Sequence, residues 1–394
     1  MKIIVQKYGG SSVATEESRE IVSEKIISAI KQDYCVTVIL SAMGRAPSPL
    51  STDTLINTAC DKTNLSLAEK DLIMATGENY SCIKLSCLLR QKGFKTKVFT
   101  GAQAGIITGS QHGNAKIKKI YPKNITEALK EGYIAIIAGF QGMDESGTIT
   151  TLGRGGSDTT ATAIGAALNA QKVEIYTDVD GVMTSDPKIY NEAKIIEALD
   201  LSEMGEMANE GAKVLHTRCV EIANKHNLRL FVKNTFSNHE GTKIIKKQKS
   251  KNVVSGLIHR TDITDFYTDF SKFKNISDLQ KLFLKNMAKL GISLDLININ
   301  RNIIYFSISD QDRQKTENYL RNSNIPYNIR TNCAKVSCVG IGMKGTPGVM
   351  ASIFQIMFQE GIKVYRSVDS FINISCLIDG KDLNRAIKAL HKLC

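Results

Sequence analysis

Four glycine-rich segments put cations and carboxylates where a phosphate could be handled. The first is Lys7-Tyr8-Gly9-Gly10-Ser11-Ser12, at the end of an apolar strand. Paired glycines let backbone N–H groups come close to a phosphate, and the N-terminus of a following helix favours negative charge. Lys7 would lie beside those amides. Taken alone, the pair is equally an ordinary turn after a strand. The second is Thr151-Leu152-Gly153-Arg154-Gly155-Gly156-Ser157-Asp158, which opens a helix. Its three glycines expose many N–H donors, and Arg154 offers a planar fork matched to a carboxylate or phosphate. Asp158, in or near the first turn, reads either as a plain cap or as the group that orients a catalytic lysine. The third is Tyr176-Thr177-Asp178-Val179-Asp180-Gly181-Val182-Met183, followed by Ser185-Asp186-Pro187-Lys188. It is either an Asp-Gly turn or a set of carboxylates for ribose or amine groups, with Lys188 for phosphate. In the fourth, Gly211-Ala212-Lys213-Val214-Leu215-His216, Lys213 starts a helix and either points at a phosphate or is solvated.

The elements that must position these groups follow from the hydrophobic pattern. Residues 2–6, 36–41, 97–100, 134–138, 173–177 and 230–232 read as strands. Between them lie helical patterns at 15–30, 66–91, 124–130, 159–168, 202–209 and 214–225. Strands alternating with helices imply an α/β class with an open, mostly parallel sheet covered on both faces. Ligands in such sheets bind beyond the carboxyl ends of the strands, where the glycine-rich segments fall. After residue 246 the pattern changes and repeats at an offset of 70 positions. Met287 falls on Met357, Gly291 on Gly361, Ile292 on Ile362, Asp312 on Asp382 and Leu320 on Leu390. Each copy reads as strand, helix, strand, strand, helix, an α+β ferredoxin-like plan. In the second copy these fall at 334–341, 348–359, 362–367, 371–378 and 381–393. Paired units of this kind suggest a sensor more than a catalytic centre. The expected domains are 1–245, a linker with a first ferredoxin-like unit over 246–332, and a second over 333–394.

Composition bounds the answer. A chain of 394 residues with 42% hydrophobic and 23% charged residues is globular and spans two to three domains. No apolar run approaches the roughly 18 residues that a membrane span needs. The start, charged again at Lys7, does not read as a signal peptide, so a soluble, cytoplasmic protein without a membrane partner is expected. Nine scattered Cys with no C-x-x-C pair read as reduced thiols rather than a zinc site, and no metal is expected to be held by protein side chains alone. Residues 1–245 carry 28 Lys and Arg against 27 Asp and Glu; the rest carry 23 against 12. Those basic residues are dispersed, apart from a cluster over 243–251, so nucleic acid is not the expected partner. There is no G-x-x-x-x-G-K-[ST] motif. A formal G-x-G-x-x-G at Gly340-Ile341-Gly342-Met343-Lys344-Gly345 lacks the parallel crossover a dinucleotide fold requires.

Taken together, in order, the four segments resemble the aspartokinases of the amino acid kinase family. Ser41-Ala42-Met43-Gly44, Thr76-Gly77-Glu78 and Phe140-Gln141-Gly142 add to the match, which spans essentially the whole chain because family members of the β type end in two ACT domains. The resemblance implies an αβα sandwich for residues 1–245. It also implies that the strand near 253–259 completes the last ACT unit, one unit being nested in the other. The implied reaction is attack of the β-carboxylate of L-aspartate on the γ-phosphate of ATP, giving 4-phospho-L-aspartate. This is the first step toward lysine and diaminopimelate, threonine and methionine. Such a nucleophile is already ionised at neutral pH, which accounts for the lack of an obvious catalytic His or Cys. Positioning and electrostatic stabilisation must then supply the catalysis.

The resemblance also implies roles. Lys7 stabilises the transferring phosphoryl group, Asp158 orients Lys7, and Lys213 is a second phosphate lysine. Tyr8, Gly9, Gly10, Ser41, Thr177, Asp178, Met183, Lys188 and Val214 fall on the ATP side. Thr52, Glu78, Arg154, Gly155, Gly156 and Ser157 fall on the aspartate side, with Arg154 on the α-carboxylate and Glu78 on the ammonium. Many relatives have Tyr at Met183 and Arg at Lys188, which implies weaker adenine stacking and phosphate pairing here. Mg²⁺ is expected to arrive with ATP. The implied partners are a second copy of the chain and an amino-acid effector at the ACT units: diaminopimelate, lysine or threonine. Asn332-Cys333-Ala334-Lys335-Val336-Ser337 and Ser367-Val368-Asp369-Ser370 look most like the diaminopimelate-inhibited form. Another amino acid kinase, or a non-catalytic ACT sensor, are the other readings; Glu78 with Arg154 favours a free α-amino acid.

Overall fold

The computed structural model describes residues 1–59, 64–247, 252–343 and 345–394, so the end of the basic cluster, 248–251, and Lys344 lie outside the described residues. The chain divides into two compact units: residues 1–182, 195–208 and 213–249, and residues 183–194, 209–212 and 250–394. The second unit thus takes in two short segments that precede the change of composition at 246. No described helix is long and apolar enough to cross a membrane.

In chain order the first unit begins β1 (Ile3–Tyr8), α1 (Glu16–Lys31), β2 (Cys35–Leu40), α2 (Thr52–Ala59), α3 (Leu67–Gln91) and β3 (Thr96–Phe99). It continues β4 (Ile106–Thr108), β5 (Ile117–Ile120), α4 (Lys123–Lys130), β6 (Ile134–Ala138), β7 (Gln141–Met143), β8 (Ile149–Thr151) and α5 (Gly156–Ala167). Then come β9 (Lys172–Thr177), β10 (Ala198–Asp200), α6 (Leu201–Glu210), α7 (Thr217–His226), β11 (Leu230–Asn234) and β12 (Thr242–Ile245). Eight strands form one sheet in the order β10-β12-β11-β9-β1-β2-β6-β3, parallel except for β11 against β12. Every residue of β1 is buried, as a central strand covered on both faces must be. On one face Val22 and Ile26 of α1 and Leu85 and Leu89 of α3 pack on Ile4, Val38 and Ile136. On the other, α5 packs on β1 and β9, Gly165 lying so close to Val173 that a Cβ would come within 2.5 Å of it. Fully burying each such aliphatic side chain is worth about 1.5–3 kcal/mol, so this layering fixes the strand ends that carry the glycine-rich segments.

The helix starts are chemically marked. Thr15 and Ser18 form a reciprocal capping box for α1, and Ser66 and Glu69 form one for α3. Two expectations are corrected. Residues 214–225 do not form one helix: α7 starts only at Thr217, because His216 caps it by accepting the Arg218 amide, and Lys213 lies in the preceding bend. A second, four-stranded sheet, β5-β4-β7-β8, arises from segments too short and too mixed in polarity to read as strands.

The second unit holds β13 (Gly256–Asp269), α8 (Ile276–Lys289), β14 (Asp295–Ile299), β15 (Ile303–Ser309), α9 (Arg313–Asn322), β16 (Tyr327–Val339), α10 (Val349–Gln359), β17 (Arg366–Asp369), β18 (Asn373–Asp379) and α11 (Leu383–Leu390). Its sheet is antiparallel, β14-β15-β13-β16-β18-β17. The 70-residue offset has a packing cause. Met287 and Met357, Ile292 and Ile362, and Leu320 and Leu390 are all buried, while Gly291 and Gly361 both take positive φ. β13 and β16 each run through both copies. The end of β13 pairs with β15, whereas its start pairs with the end of β16, and Leu257 joins the core of the second copy. The second strand of that copy begins at Arg366, not at 362, because Ile362 is consumed in the core under α10. β15 is paired on both sides, so β14 and β17 are the edges of this sheet. β16 is antiparallel to both neighbours, so the formal G-x-G-x-x-G belongs to no dinucleotide unit.

Candidate active site

Lys7 is the penultimate residue of β1 and is only 9% exposed. Its Nζ lies 2.7 Å from Oδ1 of Asp158, in the first turn of α5. The pair joins the carboxyl end of a central strand to the N-terminus of the helix that covers it. The reading of Asp158 as a plain cap is not what the geometry gives: Gly155 occupies the cap position, and Asp158 faces the lysine. The glycines beside the pair are sterically required. A Cβ at Gly10 would fall 2.7 Å from the Gly44 carbonyl oxygen, and one at Gly155, at φ 69°, would fall 2.3 Å from Cβ of His216. The first turn is therefore clamped against residues 42–44, with Gly44 N donating to Gly10 O at 3.0 Å. Ser41 follows β2 directly and its amide donates to the Tyr8 carbonyl. The Tyr8 ring is buried and stacked on Tyr176 at 4.7 Å, so only its backbone faces the strand end.

Glu78 of α3 is 3% exposed. Its Oε1 accepts from the Ala42 amide at 3.2 Å, and its Oε2 is buried with no partner among the described residues. Burial pushes this carboxyl up to about 8, against the downward pull of its backbone hydrogen bonds. A buried acceptor left unsatisfied is costly and calls for a donor from outside the chain. Arg154 stands exposed between Gly153 and Gly155 and pairs with no carboxylate among the described residues. Gly156 packs on Phe140, and Ser157 is buried against Gly139 at the end of β6. Thr52 begins α2, partly exposed.

On the other side, Thr177 closes β9 and donates to Asp178, which stays exposed and accepts weakly from Arg45 at 3.4 Å. Asp180 is spent internally: it accepts from Asn234 and Ser237, and these hydrogen bonds hold its carboxyl below the usual range. Asp180 is therefore committed within the protein, whereas Asp178 is not. Lys213 is exposed and Val214 half-buried. Met183 and Lys188 group with the second unit, where the Lys188 amide donates to Asp186. Within the first unit the structure thus brings together Lys7, Gly9, Gly10, Ser41 and Asp158. Arg45, which reaches Asp178, carried no signal in its local sequence.

Comparison with known proteins agrees with this geometry. Residues 2–234 match the amino acid kinase family and residues 336–393 match the ACT domain. The chain is 37% identical over 401 residues to aspartokinase 1 of Bacillus subtilis, covering 100% of this chain and 99% of that one. It is 39% identical to an aspartokinase of Geobacillus stearothermophilus, over 100% of this chain and 97% of the relative. Among solved structures, Escherichia coli aspartokinase III in complex with aspartate and ADP superposes with a TM-score of 0.82 at 24% identity, over 99% of both chains. The aspartate kinase of Clostridium acetobutylicum gives 0.82 at 22% identity, over 99% of both. At such identities these likenesses speak to the fold, whereas the full-length sequence relatives carry the family: the chain belongs to the aspartokinases of the amino acid kinase family.

Proposed function

We propose that the first unit transfers the γ-phosphoryl group of ATP to the β-carboxylate of L-aspartate, giving ADP and 4-phospho-L-aspartate, and that the second unit regulates this by binding an amino acid. The observation that carries the reading is the largely buried Lys7–Asp158 pair at 2.7 Å beside a two-glycine turn. Phosphoryl transfer of this kind needs little covalent help; it needs an anion brought to a polyanion and charge met as it spreads. Lys7 meets that charge, and Asp158 fixes the lysine's direction. Gly9, Gly10, Ser41 and the start of α5 supply amide donors, and Lys213 reaches a second phosphate. Arg154 clamps the α-carboxylate, Glu78 takes the ammonium on its free Oε2, and Thr52, Gly155, Gly156 and Ser157 line the aspartate side. Thr177, Asp178 and Val214 serve the nucleotide. Asp158 is already committed to Lys7, which fits Mg²⁺ held through the ATP phosphates; bound there, it would neutralise phosphate charge.

For regulation, the effector is diaminopimelate, lysine or threonine, bound at the ACT copies of a homodimer. Support for an inter-chain sheet edge comes from β14, where Ile297 and Ile299 are 40% and 51% exposed. ADP release measured with L-aspartate, with glutamate and with no acceptor tests the reaction. ADP formation that does not depend on aspartate would refute it. Titration with the three effectors, alongside light scattering, tests the regulatory half.

A further inference from the structure

Outside the glycine-rich segments, one buried carboxylate gathers more hydrogen bonds than its position in the chain explains. Asp71, in the first half of α3, is fully buried. It pairs with Nδ1 of His112 at 2.7 Å and accepts from the Gly113 amide at 3.0 Å. It also accepts from the Thr151 amide at 3.0 Å and from Oγ1 of the same Thr151 at 2.5 Å. Two pieces of chain far apart in sequence, at 112–113 and 151, are therefore tied to one side chain of α3. Thr151 is the last residue of β8, and only Leu152 and Gly153 separate it from Arg154.

That short stretch is held from a second direction. Arg218 of α7 donates to the Leu152 carbonyl at 2.8 Å, and its other nitrogen reaches Asn114 beside Gly113. Gly153 passes so close to this corner that a Cβ would lie 2.8 Å from the Gly113 oxygen. The backbone is thus fixed up to the residue before Arg154, while the guanidinium itself pairs with no carboxylate among the described residues. Burying a carboxylate is costly unless donors surround it, and a fully satisfied buried polar network is rigid. An apolar contact could join β8 to α3 more cheaply, but it would not fix the direction of the loop.

Asp71 and Glu78 are seven residues apart on α3, close to two turns, so they lie on the same side of one rigid rod about 10 Å apart along its axis. We propose that Asp71 is a positioning residue that sets the distance between Arg154 and Glu78. One helix would then carry the acceptor for the substrate ammonium directly and hold the clamp for its α-carboxylate through Asp71. This rests on the roles given above to Arg154 and Glu78. Its consequence is selectivity for the α-amino-acid head group rather than for the nucleotide.

The test compares Asp71→Asn, Thr151→Val and Thr151→Ser. Asp71→Asn and Thr151→Val should raise KM for aspartate on the order of tenfold, with KM for ATP within about twofold. They should also narrow the preference for aspartate over succinate, which lacks the amine. Thr151→Ser keeps the hydroxyl and should restore wild-type behaviour. Amide exchange over residues 111–115 and 150–154 should quicken in Asp71→Asn. Equal rises in both KM values, or a lower melting temperature with the aspartate-to-succinate ratio unchanged, would overturn the assignment. Unchanged amide exchange would overturn the tether itself, whatever the activity. A wild type that forms no ADP with aspartate would instead overturn the kinase reading, and the positioning role with it.

Discussion

Glu78 makes aspartate binding depend on pH in a direction the structure fixes. Its carboxyl, pushed up to about 8 by burial, is mostly protonated at neutral pH in the free protein. An ammonium group is best met by the charged form, so each binding event must expel a proton. If only the ionised form binds, KM for aspartate exceeds its high-pH limit by a factor of one plus ten to the power of pKa minus pH. With a value near 8 that factor is about 100 at pH 6, about 10 at pH 7 and about 2 at pH 8. KM for ATP should stay nearly flat over the same range. Glu78→Gln should raise KM for aspartate and abolish its slope. The same shift has a stability signature. The folded value lies above the unfolded one, so the stability contributed by the protonated form is complete below the unfolded value, near pH 4.5. It is lost as pH rises toward 8, at up to about 1.4 kcal/mol per pH unit. Above pH 8 the Gln variant should therefore melt higher than the wild type, and aspartate should raise the wild-type melting temperature more than that of the variant. Initial rates from pH 6 to 8.5, with melting curves at both ends, decide the matter. A wild-type KM for aspartate that is flat in pH, or a Gln variant that keeps the slope, would refute the reasoning.

Three further outcomes are expected. Lys7→Ala should cut kcat by about 10²–10³, since it removes a donor at the transferring group, and thermal melting should show the fold intact; kcat within about tenfold of wild type would remove the phosphoryl role. Arg154→Lys should raise KM for aspartate far more than for ATP, because a point charge cannot reproduce a planar fork, and steady-state kinetics with each substrate varied will show which side it serves. Gly348→Asp should relieve effector inhibition with kcat little changed by placing a carboxylate where α10 offers its first amides. Gly348 sits at φ 88°, so Gly348→Ala, which shares the backbone strain without the charge, is the control, and inhibition curves for both separate the two effects.

The parallel core was legible because its strands are continuous apolar runs; residues 134–138 coincide with β6. Helix α3 was legible from the length of the helical pattern over 66–91. The β4, β5, β7 and β8 strands were not, since strands of three or four residues carry too little pattern to separate from loop. Lys213 was placed on a helix because nothing local marks His216 as a cap. Lys7 and Asp158 stood out because glycines flank them; their pairing across 151 positions was implied only by the family resemblance, since nothing local brings them together. The raised value of Glu78 and the convergence on Asp71 depend wholly on burial, which no spacing reveals.

The passage of β13 and β16 through both ferredoxin-like copies governs the order in which this half can be made. The start of β13, at Gly256–Arg260, has its partner at the end of β16, 75 to 83 positions later. During synthesis those residues emerge early and must wait, unpaired, until Lys335–Val339 have left the ribosome. Neither copy is therefore a separable cassette: residues 333–394 taken alone would lack the strand that covers one flank of β16. Exchanging effector specificity between relatives by grafting would have to move everything from Asn252 to Cys394 as a single piece, and a cut at the repeat boundary would yield two half-sheets, each with a raw edge open to aggregation.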